Sequence, residues 1–335
     1  MTKDKRVHSA DSRRRWLAAG VGLPALAWMG ALRAQVNAPL VIGSLIPGSR
    51  GEGRGTRAFN ESMAALGWKL DTQYVLEERY AQGRVDRLPA LAQELATKKP
   101  AVIVVFTSVA ARAAAAAAPT TPIVLASGDP LSTGLVTNLA RPGGMITGLS
   151  NVSADLNLKL VELLVEAMPT LKRVGVLADS TSTRHAAVVN SVRRTAERLR
   201  IDAVIVDVAK PEDIEPAMAR LTKEKVQALV LLASVWVGQF HPTIIGLALA
   251  QRWPVVGIGS GTPRQGGLFS YGPDGLALIR RSAHYVDRIL KGTKPGDLPI
   301  EQPTTFELVL NMKTAKALGI AIPPSVLVRA TEVIE

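Results

Sequence analysis

Short runs rich in Val, Ile and Leu, each followed by a helical pattern, constrain this chain more than any other feature. "LVIGSLI" (40–46) leads into "TRAFNESMAALGW", and "QYVLEERY" (73–80) leads into "RVDRLPALAQELATKK". "AVIVVFT" (101–107) leads into an alanine-rich stretch that stops at Pro119, and "TPIVLAS" (121–127) follows. A strand with one wet face alternates polar and apolar residues, whereas a continuous apolar run needs cover on both faces. Apolar strands alternating with helices therefore predict an α/β fold with a buried parallel sheet. The order then restarts with "RVGVLAD" (173–179), a helix at 185–199, "IDAVIVDVA" (201–209), a helix at 213–223, "VQALVLLAS" (226–234) and "PVVGIGS" (254–260). Two α/β lobes of similar build are the simplest account.

The joints between those lobes are also legible. "NLARPGGMITGLSN" (138–151), "GGLFSYGPDG" (266–275) and "DLPIEQPTT" (297–305) read as three crossings, which would make a hinge. The expected division is 35–150 plus 268–303 for the first lobe and 151–267 plus 304–335 for the second. Ligands of such sheets sit outside the carboxyl ends of the strands, so a cleft should face both lobes.

Residues 1–34 carry a different message. "DSRRRWLAAGVGLPALAWMGALRAQ" has a basic start, an apolar run and a small-residue end at Ala34, the anatomy of an export signal cleaved near that alanine. The apolar run is short and broken by Gly20, Gly22, Pro24 and Gly30, which argues against a spanning helix. Ser12-Arg13-Arg14-Arg15-Trp16-Leu17 resembles a twin-arginine signal, and an ordinary secretory signal with extra arginines is the alternative. Of the net charge of +12, seven basic against two acidic residues place +5 in this leader. The remaining +7 is spread in mixed-sign clusters without a basic stripe, so nucleic acid is not an expected partner.

Chemistry is thinly represented. The chain has no cysteine, which excludes disulfides, thiolate metal sites, a cysteine nucleophile and a lipoprotein anchor. His185, His241 and His284 are scattered without ligand spacing, so no metal and no catalytic residue is expected. Gly257-Ile258-Gly259-Ser260-Gly261 is not a nucleophile elbow, because Ile258 stands where glycine is needed. The one cofactor-like motif is Gly53, Gly55 and Ala58, a G-x-G-x-x-A before a helix, with Glu77 and Glu78 about where a ribose-binding acid would stand. A dinucleotide fingerprint starts at the strand end, but Gly53 lies six residues beyond Pro47. The expectation is a polar loop at a cleft edge and no cofactor.

Small polar residues do gather at strand ends. They are Thr107-Ser108, Ser127-Gly128-Asp129-Pro130, Asp179 through Thr183, Ser234 and Gly259-Ser260-Gly261-Thr262. Hydroxyls and N–H groups at helix starts suit a carboxylate or other small anion, and the competing reading is helix capping alone.

Several long motifs carry a family resemblance. "YAQGRVDRLPALAQEL", "GDPLSTGLVTNLARPGGMITGLS", "GGLFSYGPD", "YVDRILKGTKPGDLPIEQPTTFELVLNMKTAKALG" and "IPPSVLVRATEVIE" resemble ABC-transporter substrate-binding proteins of the tryptophan/tyrosine-binding type, from about residue 39 to 335. The resemblance implies the type I periplasmic-binding-protein fold, two flavodoxin-like or Rossmann-like lobes that close on a small-molecule ligand, and delivery to a permease in the inner membrane. It implies a periplasmic monomer that does no chemistry. Matched positions that would touch ligand are Thr107, Ser108, Asp129, Ser180, Ser234, Trp236 and Tyr271, and Trp236 or Tyr271 could instead pack the lobe interface. Two departures stand out: the glycine-rich loop 48–56, and the lack of an acidic and an aromatic residue around Gly261-Thr262-Pro263-Arg264. The expected ligand is an amino acid or related carboxylate. A twin-arginine-exported dinucleotide-dependent oxidoreductase and a binding protein serving a sensor kinase are the rivals.

Overall fold

The computed structural model describes residues 38–50, 53–151, 153–182, 185–232 and 234–335. The export signal read at 1–34 lies outside them, as does Thr183. Residues 39–335 form one compact unit built on two sheets.

The first sheet holds β1 (Leu40–Ile46), β2 (Tyr74–Tyr80), β3 (Val102–Val105), β4 (Ile123–Leu125) and β5 (Ile146–Gly148), in the order β2-β1-β3-β4-β5 and all parallel. Between them run α1 (Arg54–Ala65), α2 (Leu88–Thr97) and α3 (Ser108–Ala117). Period-two geometry divides the apolar strands between two cores. Ile103 and Val105 pack with Leu88, Leu91 and Leu95 on the α2–α3 side, while Val102 and Val104 pack with Phe59 and Met63 on the other.

After β5 the chain enters the second half through α4 (Ser153–Ala167), β6 (Arg173–Asp179), α5 (His185–Leu199), β7 (Asp202–Val208), α6 (Ile214–Lys223) and β8 (Ala228–Leu231). It continues through α7 (Val235–Gln239), α8 (His241–Ala250), β9 (Val255–Gly257), α9 (Gly261–Arg264) and β10 (Phe269–Pro273). α10 (Gly275–Leu290), β11 (Phe306–Asn311), α11 (Met312–Leu318), α12 (Pro324–Leu327) and β12 (Glu332–Ile334) complete it. The second sheet runs β12-β11-β10-β9-β8-β6-β7. Its β7-β6-β8-β9-β10 portion repeats the strand order of the first sheet, with β11 added antiparallel to β10.

Three passages join the halves. The first follows β5; the second leaves β10, which pairs in the second sheet, for α10, whose Leu278, Ala283 and Val286 sit in the first half's core. The third returns through Glu301 to β11. Two of these strands run side by side, since the Ser150 N–H donates to the Glu301 carbonyl at 2.7 Å and the Glu301 N–H to the Gly148 carbonyl at 3.0 Å. Trp68 Nε1 ties α10 to the first half by donating to Asp287 Oδ1 at 2.8 Å. Among the described residues, no helix is long and apolar enough to cross a membrane.

Candidate functional site

Two hollows open at the carboxyl ends of the strands. The larger, about 1110 Å³, is walled from both halves. Arg50, Phe106, Ser127 and Asn151 line it from the first, and Ile258, Ser260, Arg264, Glu307 and Glu332 from the second. Its charges are mixed: Arg264 pairs with Glu332 at 2.6 Å, and Asp274 and Glu307 stand close by. Burial, reinforced by Asp274, holds the Glu307 carboxyl above the usual carboxylate range, and hydrogen bonding from Ser260 partly offsets this.

The smaller hollow, about 390 Å³, lies within the first half between the sheet and α1. Its origin is readable from the strand. The residues of β1 facing this side are Ile42, Ser44 and Ile46, so a small side chain stands where the core's next layer needs bulk. Across the gap α1 begins with Gly53 in left-handed geometry (φ 68°) and Gly55, which leave no side chains to fill it. Leu76, Val104, Phe106 and Phe59 complete the apolar walls. Arg50, Gly53, Gly55, Phe106 and Ile279 border both hollows, so the recess opens off the cleft.

The glycine motif thus has a structural account. Gly55 approaches Ile279 of α10 so closely that an added Cβ would stand 3.1 Å from Cδ1, and Ala58 is buried in the core. Glu78, at the far end of β2, lines the recess, and Thr56 Oγ1 donates to its Oε1 at 2.7 Å. Beside it, burial raises the Tyr80 phenol above its ordinary pKa; Glu78 adds to the rise, while hydrogen bonding with Thr56 and the charge of Arg50 oppose it.

The residues singled out from sequence have varied fates. Thr107 lines the small recess and is the N-cap of α3, accepting from the Ala110 N–H at 3.2 Å. Ser108 is buried and its hydroxyl accepts from the Asp129 N–H at 3.0 Å, fastening two strand ends together. Asp129 Oδ1 accepts from the Ser132 N–H at 3.1 Å. In the second half, Ser180 donates to the Val208 carbonyl at 3.2 Å and Ser234 donates to Asp179 Oδ2 at 2.8 Å. Ser234 also caps α7 through the Val237 N–H. Tyr271 stacks on Phe306 with ring centroids 5.9 Å apart. Trp236 lies on α7, and its side chain is outside the described residues. Among the six of the seven whose side chains are described, only Thr107 lines either of these two hollows.

Arg50, Thr56, Glu78 and Glu307 were not singled out as ligand contacts. Glu78 carried a signal, its distance from the glycines, but under a dinucleotide reading. The three histidines among the described residues lie on three different helices: His185 Nε2 is 3.3 Å from Asp207, and burial lowers the pKa of His241. Among the described residues no group of three or more His, Asp or Glu could hold a metal ion.

A family model described as ABC transporter substrate binding protein matches residues 54–334. A tyrosine-binding protein of Clostridioides difficile (strain R20291) is 24% identical over 264 residues, which cover 78% of this chain and 75% of that protein. A crystal structure from Streptococcus pneumonia, described as an ABC domain in complex with L-Trp, is 26% identical with a TM-score of 0.81, covering 88% of this chain and 100% of the other. A conserved domain protein from Vibrio cholerae is 27% identical with the same TM-score, covering 88% of this chain and 99% of its own.

Proposed function

Because the chain belongs to the ABC transporter substrate-binding protein family, we propose that it captures an amino acid or related carboxylate between its two lobes and passes it to an inner-membrane permease. The observation that carries this reading is the 1110 Å³ cleft, walled from both halves and lined by charges of both signs. Such a lining suits a zwitterion, whose ammonium and carboxylate need opposite partners, and the volume exceeds what a small ligand requires. The two strand crossings that run together at Gly148–Ser150 and Glu301 would serve as the hinge for closure.

In this reading Thr107 and Ser108, at the start of α3, offer N–H groups to the ligand carboxylate, with Asp129 beside them. Ser180, Ser234, Trp236 and Tyr271 close from the second lobe. The relatives that carry tyrosine or L-Trp in their descriptions favour an aromatic amino acid. The leader at 1–34 would export the chain to the periplasm, where it works as a monomer without a cofactor.

The test is a thermal-shift screen against amino acids, aromatic carboxylates and NAD(P). A ligand at 100 times its dissociation constant adds about 2.7 kcal/mol to folding. Stabilisation by an amino acid or carboxylate alone is the expected result. Stabilisation by NAD(P) alone would replace this reading with the dinucleotide one.

A further inference from the structure

The glycine loop, the small serine of β1 and Glu78 together make a feature that solute capture in the cleft does not require. The recess is an apolar extension of the cleft, sharing Phe106 and Ile279 with it. Its volume of about 390 Å³ is within the range that encloses small ligands. Among the described residues one carboxylate lines it, that of Glu78, and the 2.7 Å hydrogen bond from Thr56 holds that group in place.

We propose that this recess receives the side chain of the ligand, and that Glu78 selects side chains carrying a hydrogen-bond donor at their far end. The proposal rests on the reading of the cleft as an amino-acid site. An ionised carboxylate only accepts hydrogen bonds, so a phenol, an indole N–H or an amine complements it. A plain hydrocarbon ring would strip water from the carboxylate and return nothing, which is the costly case for a buried polar group. Sites that hydrogen-bond a ligand hydroxyl discriminate against the analogue lacking it far more strongly than apolar pockets discriminate by shape. Thr56 is the positioning residue, because it fixes the carboxylate without having to touch the ligand.

Calorimetric titration of the full-length chain tests this with matched pairs: L-tyrosine against L-phenylalanine, L-tryptophan against its N1-methyl derivative, and p-cresol against toluene. Glu78→Leu, Glu78→Gln and Thr56→Val are measured alongside, each checked by thermal melting. The expected result is at least a tenfold preference for the donor-bearing member of a pair. That preference should vanish in Glu78→Leu, survive in part in Glu78→Gln and weaken in Thr56→Val. Amino acids that bind the wild type without Glu78-dependent preference would overturn the proposal and leave the cleft reading intact. Discrimination between p-cresol and toluene that depends on Glu78, with no amino acid bound, would sustain the selection by Glu78 and overturn an aromatic amino acid as the ligand of the cleft. No binding by any member of the set would overturn the proposal and leave the cleft reading to the thermal-shift screen.

Discussion

The two lobes share a strand order but use its switch point in opposite ways. Where β1 and β3 diverge, the first lobe is hollow, with Ser44, Gly53 and Gly55 leaving a 390 Å³ recess. Where β6 and β8 diverge, the second lobe is knotted: Asp179 Oδ2 accepts from Ser234, and its Oδ1 accepts from the Thr181 N–H at 2.9 Å and the Thr181 hydroxyl at 2.6 Å. Topology supplies two equivalent positions. Side-chain volume and hydrogen bonding then leave one hollow and tie the other, so equal folds do not imply equal sites.

Filling the hollow should break the contrast most visibly. Ser44 is buried and borders the recess, so Ser44→Leu adds apolar bulk where space exists. We expect the fold to persist and the ligand-dependent gain, about 2.7 kcal/mol at 100 times the dissociation constant, to disappear from thermal melts. An undiminished gain would mean that ligand does not use the recess.

Untying the other switch point is the next largest effect. Asp179→Ala leaves the partly buried Ser234 hydroxyl without its acceptor, and a stranded buried donor typically costs about 1–3 kcal/mol. Denaturant unfolding measures it. A negligible cost would show that this polar cluster is not held for stability, and would make the second lobe the more open binding surface.

The smallest effect sharpens the cleft that both lobes share. Burial raises the Glu307 carboxyl pKa in the folded state, so folding favours its protonated form. The stability it contributes is complete below the unfolded pKa and falls away as pH rises through the folded one. Glu307→Gln should therefore raise the melting temperature at pH 7 and leave it unchanged at about pH 3.5, where neither side chain is charged. A shift of equal size at both pH values would trace the effect to packing instead of charge.

Legibility from sequence follows burial and continuity. β1 and β6 match their apolar runs from end to end, as does α5, because long periodic segments carry their own signal. β5, β10, β11 and β12 were not read as strands. The first lies inside a glycine- and proline-rich stretch taken as a crossing, and β10 opens another. β10 and β11 pair antiparallel with each other, a contact between residues from 33 (Pro273 and Phe306) to 41 (Phe269 and Leu310) positions apart in the chain. At the site, Thr107 was visible as a strand-end hydroxyl before a helix. Glu78 was visible only as a spacing from Gly53 and Gly55, which is a dinucleotide signal and says nothing of the Thr56 contact.

Sequence by itself determined the α/β class, the repetition of the pattern and the family resemblance. All of these are written in local composition, periodicity or contiguous motifs. Only the tertiary structure decided that Ser44 faces a void, that Gly55 yields its space to Ile279, and that Thr56 and Glu78 meet across 22 positions of chain. Whether a hydroxyl caps a helix, fastens a loop or faces a ligand depends on which atoms fill the space around it. Such neighbours come from distant segments, and no single segment encodes them.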